Sequence, residues 1–161
     1  MAAEFSITRS AVLRAPAPAV FAQIEDFRAW TAWSPWDRIN PTMHREYSGR
    51  QRGVGARYAW SGAGRAGAGA MEIVDAAAGR QVVIHLRLVD PVRARSTMVF
   101  TLRPLGPDTT DVTWTMSGRR GLLTRLLALR VGMDSMIDRQ LEESLEALGR
   151  AARSETGSAR R

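Results

Sequence analysis

The sequence lacks cysteine and lysine altogether and has only two histidines among its 161 residues. The absence of cysteine excludes disulfide bridges, thiolate metal sites and cysteine nucleophiles, and it fits a reducing compartment. The two histidines, His44 and His85, show no His-x-His or Glu-x-x-His spacing. We therefore predict no metal site, and nothing in the residues indicates a cofactor.

Long apolar runs and blocks of like charge are missing as well. No stretch approaches the ~18 consecutive apolar residues of a membrane-spanning helix, and the N-terminal residues, with Glu4 among them, do not have the pattern of a signal peptide. We therefore expect a cytoplasmic protein. The formal net charge is +7, but its 23 arginines are scattered along the chain. A nucleic-acid interface usually needs a basic cluster, so we predict no nucleic-acid partner.

Length and hydrophobic content indicate one domain with one core, since 45% of the residues are apolar. From residue 43 to residue 117, apolar and polar residues alternate in short segments separated by glycine or proline turns. No helical pattern lies between these segments, so antiparallel hairpins are favoured over βαβ units. Alternation also predicts that one sheet face is buried and the other is wet. An earlier alternating segment, residues 5–13, predicts a first strand.

Two short helical patterns follow the first strand. Proline suits the first turn of a helix, so we expect the first helix to begin near Pro18. Its apolar stripe consists of Val20, Phe21, Ile24 and Phe27. Tryptophan then recurs at every third position, which is typical of a short helix or helical turn. These tryptophans are Trp30, Trp33 and Trp36.

The C-terminal part of the chain contains the clearest pattern, that of a long amphipathic helix. Its apolar positions repeat at intervals of three and four: Met133, Ile137, Leu141, Leu145 and Leu148. This stripe and the apolar sheet face can each cover the other. We expect a single domain over residues 4–150 and a disordered polar tail over residues 151–161.

The element order and several local strings resemble the START-like (SRPBCC) superfamily, and within it a bacterial subgroup of polyketide cyclase/dehydrase-like proteins. The strings include Val20-Phe21, Asp26-Phe27, Trp33-Ser34-Pro35-Trp36, Tyr47-Ser48-Gly49, Gly53-Val54-Gly55-Ala56, Tyr58-x-Trp60 and Val112-Thr113-Trp114. The resemblance implies an α+β helix-grip fold: a curved antiparallel sheet wrapped around a long C-terminal helix, with two short N-terminal helices. It also implies a cavity between the sheet and the C-terminal helix for a hydrophobic small molecule, such as a lipid, a polyketide or an aromatic compound.

Aromatic and methionine side chains are our candidates for the lining of that cavity. The predicted ligand-binding residues are Trp33, Trp36, Tyr58, Trp60, Met71, Ile84, Leu86, Phe100, Trp114, Met133 and Ile137. Methionine adapts to varied apolar ligands, and indole and phenol groups can orient a ligand through their donors. The competing interpretation is that the same bulky side chains fill a core.

Three functions stay open at this level. Binding of a hydrophobic small molecule is favoured. The alternative is a polyketide aromatase/cyclase-like enzyme, in which polar groups such as Tyr58 and Asp134 would move protons inside the cavity. That function needs at least two polar side chains close together, and alternation leaves the predicted lining almost wholly apolar, so we assign no catalytic residue. A module that interacts with other proteins and has a filled core is the third.

Other motifs have ordinary structural interpretations. The string Gly62-x-Gly64-x-x-Gly67 matches a dinucleotide motif, but a strand follows where that motif needs a helix, so we predict a flexible connection. His85 alternates with Ile84 and Leu86 and should face solvent. We expect capping or pairing with arginine for the carboxylates. These are Asp26, Asp37, Glu72, Asp90 and Asp134.

The segment from Gly121 to Gly132 has leucines on more than one face and arginines around them. One interpretation is a gate that touches a membrane, with arginines at anionic head groups. The other is a helix start packed on the sheet, or the surface of a homodimer. The shortness of the segment favours the second interpretation.

Overall fold

The computed structural model describes residues 4–34, 44–62, 68–90, 93–119 and 133–159. Within these ranges, seven strands form one antiparallel sheet. The strands are β1 (Glu4–Leu13), β2 (His44–Gly49), β3 (Ala56–Ser61), β4 (Ala68–Ala77), β5 (Gln81–Asp90), β6 (Ala94–Gly106) and β7 (Thr109–Arg119). Their order in the sheet is β1-β7-β6-β5-β4-β3-β2, so β2 to β7 form a meander and β1 pairs with β7. The predicted antiparallel hairpins are confirmed.

Alternation along the strands separates two faces of the sheet. In β3, Tyr58 and Trp60 are buried, whereas Arg57 and Ser61 are exposed. β5 and β6 repeat the pattern. Successive side chains of a strand point to opposite faces, so the sheet has an apolar inner face and a wet outer face.

Two short helices cross from β1 to β2. α1 (Ala17–Ile24) has a proline in its first turn and buries Val20, Phe21 and Ile24, as its stripe predicted. A 3₁₀ helix (Phe27–Ala32) follows, and the carboxylate of Asp26 accepts a hydrogen bond from the Arg28 N–H at 3.0 Å. Asp26 is therefore a helix cap, in agreement with the structural role predicted for it.

The long C-terminal helix, α2 (Met133–Ala159), packs against α1 and β1 and buries Leu141, Leu145 and Leu148. The disordered tail predicted from residue 151 is wrong for most of its length, because α2 continues to Ala159 and the side chain of Ala152 is fully buried. The physical reason is a close approach of helix and strand. A Cβ added at Gly149 would lie 3.3 Å from Leu13 Cδ2, so the small residues Gly149 and Ala152 let this end of α2 pack on the domain.

An aromatic cluster fills one end of the space under the inner face. It consists of Trp30, Trp33, Phe100 and Trp114, all fully or almost fully buried. The ring centroids of Trp30 and Trp33 lie 4.5 Å apart, and those of Phe100 and Trp114 lie 4.8 Å apart. The 3₁₀ helix is thereby fixed to β6 and β7. A sheet whose inner face is covered by two short helices and a long C-terminal helix confirms the α+β helix-grip fold.

Candidate functional site

Three of the predicted ligand-binding residues lie side by side on the inner face. The strand register pairs Tyr58 with Met71 and Met71 with Leu86. The same register continues to Ser96 and then to Gly118. We call these five residues the inner row. Its side chains shrink from a phenol on β3 to a hydroxymethyl group on β6 and a hydrogen atom on β7, and Tyr58, Met71, Leu86 and Ser96 are all buried.

The other predicted residues are in different places. Trp33, Phe100 and Trp114 belong to the aromatic cluster, and Ile84 is fully buried beside it. Trp60 stacks on Tyr58 with ring centroids 5.9 Å apart and lies over Gly69. Trp36 lies outside the described residues, and Met133 and Ile137 lie in the first turns of α2, where side chains are not described. The ligand-binding assignment as a whole stays a prediction.

Two indole groups of the aromatic cluster, those of Trp30 and Trp33, donate hydrogen bonds to the backbone. The Trp30 Nε1–H donates to the Ile24 carbonyl at 2.9 Å, and the Trp33 Nε1–H donates to the Gln23 carbonyl at 3.2 Å. Both acceptors lie in the last turn of α1, where helix carbonyls lack intrahelical partners. These two tryptophans therefore complete the end of α1 as well as filling the core.

The buried interior contains few polar groups. Among the described side chains, no aspartate, glutamate or histidine is buried. Two buried hydroxyl groups donate hydrogen bonds to backbone carbonyls. Ser96 Oγ donates to the Ser117 carbonyl at 2.6 Å, and Thr110 Oγ1 donates to the Ala15 carbonyl at 2.8 Å. The described part of the interior thus shows no carboxyl or imidazole group that could exchange protons with a bound molecule.

Glu25, at the end of α1, has a perturbed carboxyl group. Partial burial raises the pKa of Glu25 above its ordinary value, Arg52 opposes that effect, and Asp26 adds to it. Glu25 is half-buried beside the Gly53 turn, where its backbone carbonyl accepts a hydrogen bond from the Gly53 N–H at 3.0 Å. The raised pKa of this carboxyl therefore comes mainly from its partial burial at the end of α1.

A groove of about 820 Å³ crosses the sheet from β2 to β7. The inner row contributes to its lining, together with Ser48, Arg57, Glu72, His85, Thr97 and Ser117 on one flank and Ala59, Ala70, Arg87 and Arg95 on the other. All of these flanking residues occupy outer-face positions, whereas the next inner-face residues, such as Ile84 and Met98, are not part of the lining. We therefore place the groove on the outer face, with the backbone of the inner row as its floor. We call it the outer groove.

The outer groove carries more positive than negative charge. Arg57 and Glu72 face each other across β3 and β4 and form an ion pair of 3.4 Å. Arg87 and Arg95 face each other across β5 and β6, with His85 opposite Thr97 beside them. This grouping was not predicted, because the arginines are scattered along the sequence. The available signal was that Arg87 and Arg95 both occupy wet positions of neighbouring strands, but only the register shows that they are opposed.

Both histidines lie on the surface of the sheet. His85 is exposed, as predicted, and the exposed His44 contacts Glu46 with 3.2 Å between Nε2 and Oε1. Among the described residues, no group of three His, Cys, Asp or Glu side chains is arranged to hold a metal ion. The glycine-rich connection leads into β4, so a strand follows it, as predicted. None of the helices within the described ranges is long and apolar enough to cross a membrane.

Several features predicted from the sequence lie on residues or side chains that the structure does not describe. The segment from Gly121 to Gly132 and the carboxylate of Asp37 lie outside the described residues. Most of the dinucleotide-like string, residues 63–67, does so as well. Asp134 lies in α2 and Asp90 ends β5, but their side chains are not described.

Comparison with solved structures defines the class of protein by its fold. A protein from Arthrobacter aurescens is similar with a TM-score of 0.66 and 18% identity, over 92% of this chain and 86% of that one. A protein from Mesorhizobium loti gives a TM-score of 0.65 and 16% identity, over 91% and 96% of the two chains. A START superfamily protein from Mycobacterium smegmatis gives a TM-score of 0.58 and 16% identity, over 96% and 98%. At these identities the likeness shows the fold alone, which is that of the START-like class.

The particular family follows from the sequence. The model of the family described as "Polyketide cyclase / dehydrase and lipid transport" matches residues 4–153, and the chain belongs to that family. No match was found among curated proteins. Family and fold together support a domain built around a hydrophobic cavity that binds a ligand.

Proposed function

We propose that this chain binds a hydrophobic small molecule, such as a lipid, a polyketide or an aromatic compound, between the inner face of the sheet and α2. The observation that carries the proposal is the inner row. Tyr58, Met71 and Leu86 adjoin one another in register, and the next two positions are Ser96 and Gly118, which carry little side-chain volume. A sheet face whose side chains diminish in this way offers room for an apolar ligand over β6 and β7.

The driving force for such binding is burial of apolar surface. Each Å² of apolar surface removed from water contributes roughly 25 cal/mol before the costs of association are subtracted. Met71 and Leu86 present flexible apolar side chains, and the polarizable thioether of methionine adapts to ligands of different shape. The phenol ring of Tyr58 is held in place by the Trp60 ring at 5.9 Å and the Phe27 ring at 5.8 Å, so one wall of the site is rigid.

The enzymatic alternative receives less support from the described residues. Acid–base catalysis on a folded polyketide needs polar groups positioned next to each other inside the cavity. The described interior contains no buried carboxylate or histidine. The aliphatic hydroxyl group of the inner row, Ser96 Oγ, donates to the Ser117 carbonyl at 2.6 Å. Ligand binding without turnover is therefore the function that the site supports best.

Fluorescence titration with N-phenyl-1-naphthylamine, an uncharged aromatic compound whose emission rises in apolar surroundings, tests the proposal. The informative variant is Leu86→Ala, which removes apolar surface from the inner row. The matched control is Leu102→Ala, the same change on the adjacent strand at a buried position outside the inner row. Both variants lose similar packing energy, about 2–5 kcal/mol, so thermal denaturation should first show that both are folded.

The wild-type protein should bind the compound with a Kd in the micromolar range. Leu86→Ala should weaken binding about tenfold, because roughly 1.5 kcal/mol of apolar contact is lost. Leu102→Ala should stay within twofold of the wild type. Absence of binding to the wild-type protein would contradict the proposal. Equal weakening in both variants would show that the compound does not bind at the inner row. Native mass spectrometry of the detergent-free protein, with fatty acids and polyaromatic compounds added in turn, then distinguishes the ligand classes.

Location and assembly stay sequence-based proposals. We propose a cytoplasmic protein, because a composition without cysteine fits a reducing compartment. A homodimer is the proposed assembly, and multi-angle light scattering at two protein concentrations would test it. A monomer at both concentrations contradicts the dimer.

A further inference from the structure

Four donor side chains of the outer groove come together on β5 and β6. The register opposes Arg87 to Arg95 and His85 to Thr97, and all four residues line the groove. Opposed residues of an antiparallel pair have Cβ atoms about 5 Å apart, and residues two positions apart along a strand lie about 6.6 Å apart. The four side chains therefore stand at the corners of a small rectangle on one face. Guanidinium, imidazole and hydroxyl groups can all donate hydrogen bonds toward its centre.

The positive charge of this rectangle has no acidic partner among the described residues. Neither arginine belongs to the ion pairs found there. Glu72 is the acidic residue of the described lining, and it pairs with Arg57 at 3.4 Å. Glu46 lies on β2, three strands away from Arg87, and it contacts His44. Like charges directly opposite each other destabilise a sheet, so the Arg87–Arg95 pair is a feature that a bound anion would stabilise.

We propose that the outer groove binds a phosphate group between Arg87 and Arg95, with Thr97 and His85 as further donors. The planar guanidinium fork of arginine matches the oxygen atoms of phosphate, and two forks can grip a tetrahedral dianion from opposite sides. The groove volume of about 820 Å³ leaves room for an organic substituent on that phosphate. Ala59 and Ala70, on the Arg87 side of the groove, provide a small apolar surface for the substituent.

The phosphate could belong to a soluble compound or to a lipid head group, and the two sources need separate measurements. For the soluble source, inorganic pyrophosphate is titrated into the full-length protein, and binding is followed by calorimetry and by backbone amide shifts. For the lipid source, the protein is sedimented with vesicles of phosphatidylglycerol and, in parallel, of phosphatidylcholine. Both measurements are made at 50 mM and 150 mM salt, because surface electrostatics depend on screening.

The test variant is Arg87→Gln/Arg95→Gln. Its matched control is Arg80→Gln/Arg153→Gln, which removes the same two charges at exposed positions outside the groove. Neither double variant removes a buried side chain, so both should keep the thermal stability of the wild type. The test variant should even denature slightly later, because a like-charge pair is relieved.

We expect binding that is at least fivefold weaker in the test variant and within twofold of the wild type in the control. Pyrophosphate binding, with amide shifts confined to residues 85–87 and 95–97, indicates a soluble ligand. Sedimentation with phosphatidylglycerol alone, lost in the test variant, indicates a head group. The proposal is overturned if the wild type binds neither, or if both double variants lose binding equally. This site lies on the opposite sheet face from the inner row, so its failure leaves the hydrophobic ligand proposal intact, and the reverse also holds.

Discussion

Replacement of Gly69 by alanine gives a sharp test of the packing between β3, β4 and β5. A Cβ at this position would lie 2.5 Å from Trp60 Cη2, 2.6 Å from Trp60 Cζ2 and 2.8 Å from the Arg87 carbonyl oxygen. The indole could rotate away, but the Arg87 oxygen belongs to the backbone of the neighbouring strand and can move only if β5 moves. Overpacking of this kind costs typically 1–3 kcal/mol. Because one of the neighbours below 3 Å is this backbone carbonyl, we expect Gly69→Ala to cost about 2–3 kcal/mol.

Two further glycine variants separate the clash from other effects of the same substitution. At Gly106 a Cβ meets open space without a positive φ, so Gly106→Ala should be neutral or slightly stabilising. At Gly79 a Cβ also meets open space, but φ is +70°, so Gly79→Ala should cost about 1 kcal/mol through backbone strain alone. Urea denaturation followed by far-ultraviolet circular dichroism measures all three free energies of unfolding.

A double-mutant cycle identifies which neighbour dominates. Trp60→Leu removes the indole atoms nearest to Gly69, so Gly69→Ala should cost less in the Trp60→Leu background, with a coupling of about 1 kcal/mol. The contact with the Arg87 carbonyl should keep the remaining cost above zero. If Gly69→Ala in the wild-type background stays within 0.5 kcal/mol of Gly106→Ala, roughly the error of such measurements, the described packing of Trp60 over Gly69 is wrong.

Two other predictions concern α1 and its connection to β7. The raised pKa of Glu25 means that folding opposes its ionisation, so its contribution to stability is fully present below about 4.5 and is lost as the pH rises through the folded-state pKa. Glu25→Gln should therefore match the wild type near pH 3.5 and be more stable at pH 7, by well under ~1 kcal/mol for a half-exposed group; a less stable variant at pH 7 contradicts this sign. Thr110→Val should cost about 1–3 kcal/mol, because it leaves the buried Ala15 carbonyl without its 2.8 Å donor. Thr110→Ser, which keeps the hydroxyl group and loses a methyl group, should cost clearly less in the same urea titration, and a cost of Thr110→Val no larger than that of Thr110→Ser would contradict the stabilising role of the hydrogen bond.

Much of the fold was predictable because its signals are local. Alternation with a period of two specified β3 and β5, and the stripe of Leu141, Leu145 and Leu148 specified α2. These patterns depend only on how a strand or a helix projects its side chains. Family resemblance then supplied the arrangement of the elements, which the family match over residues 4–153 supports.

The candidate site was predictable only in part. Tyr58, Met71 and Leu86 were chosen as apolar inward positions, and alternation was enough to choose them. The same reasoning chose Phe100 and Trp114, which lie in the aromatic cluster. Position along the sheet separates these two groups, and alternation carries no information about position along a sheet. The outer groove was missed because its charge comes from residues on different strands.

By itself, the sequence determined which residues form strands and helices and which side chains point inward, because both follow from short-range periodicity. Only the tertiary structure decided the register that aligns Tyr58 with Met71 and opposes Arg87 to Arg95. Register depends on turn lengths and on irregularities such as the shift between Ile73 and Asp75, whose effects accumulate across the sheet. The end of α2 was decided in the same way, since an exposed polar sequence becomes an ordered helix once Gly149 and Ala152 pack on the domain.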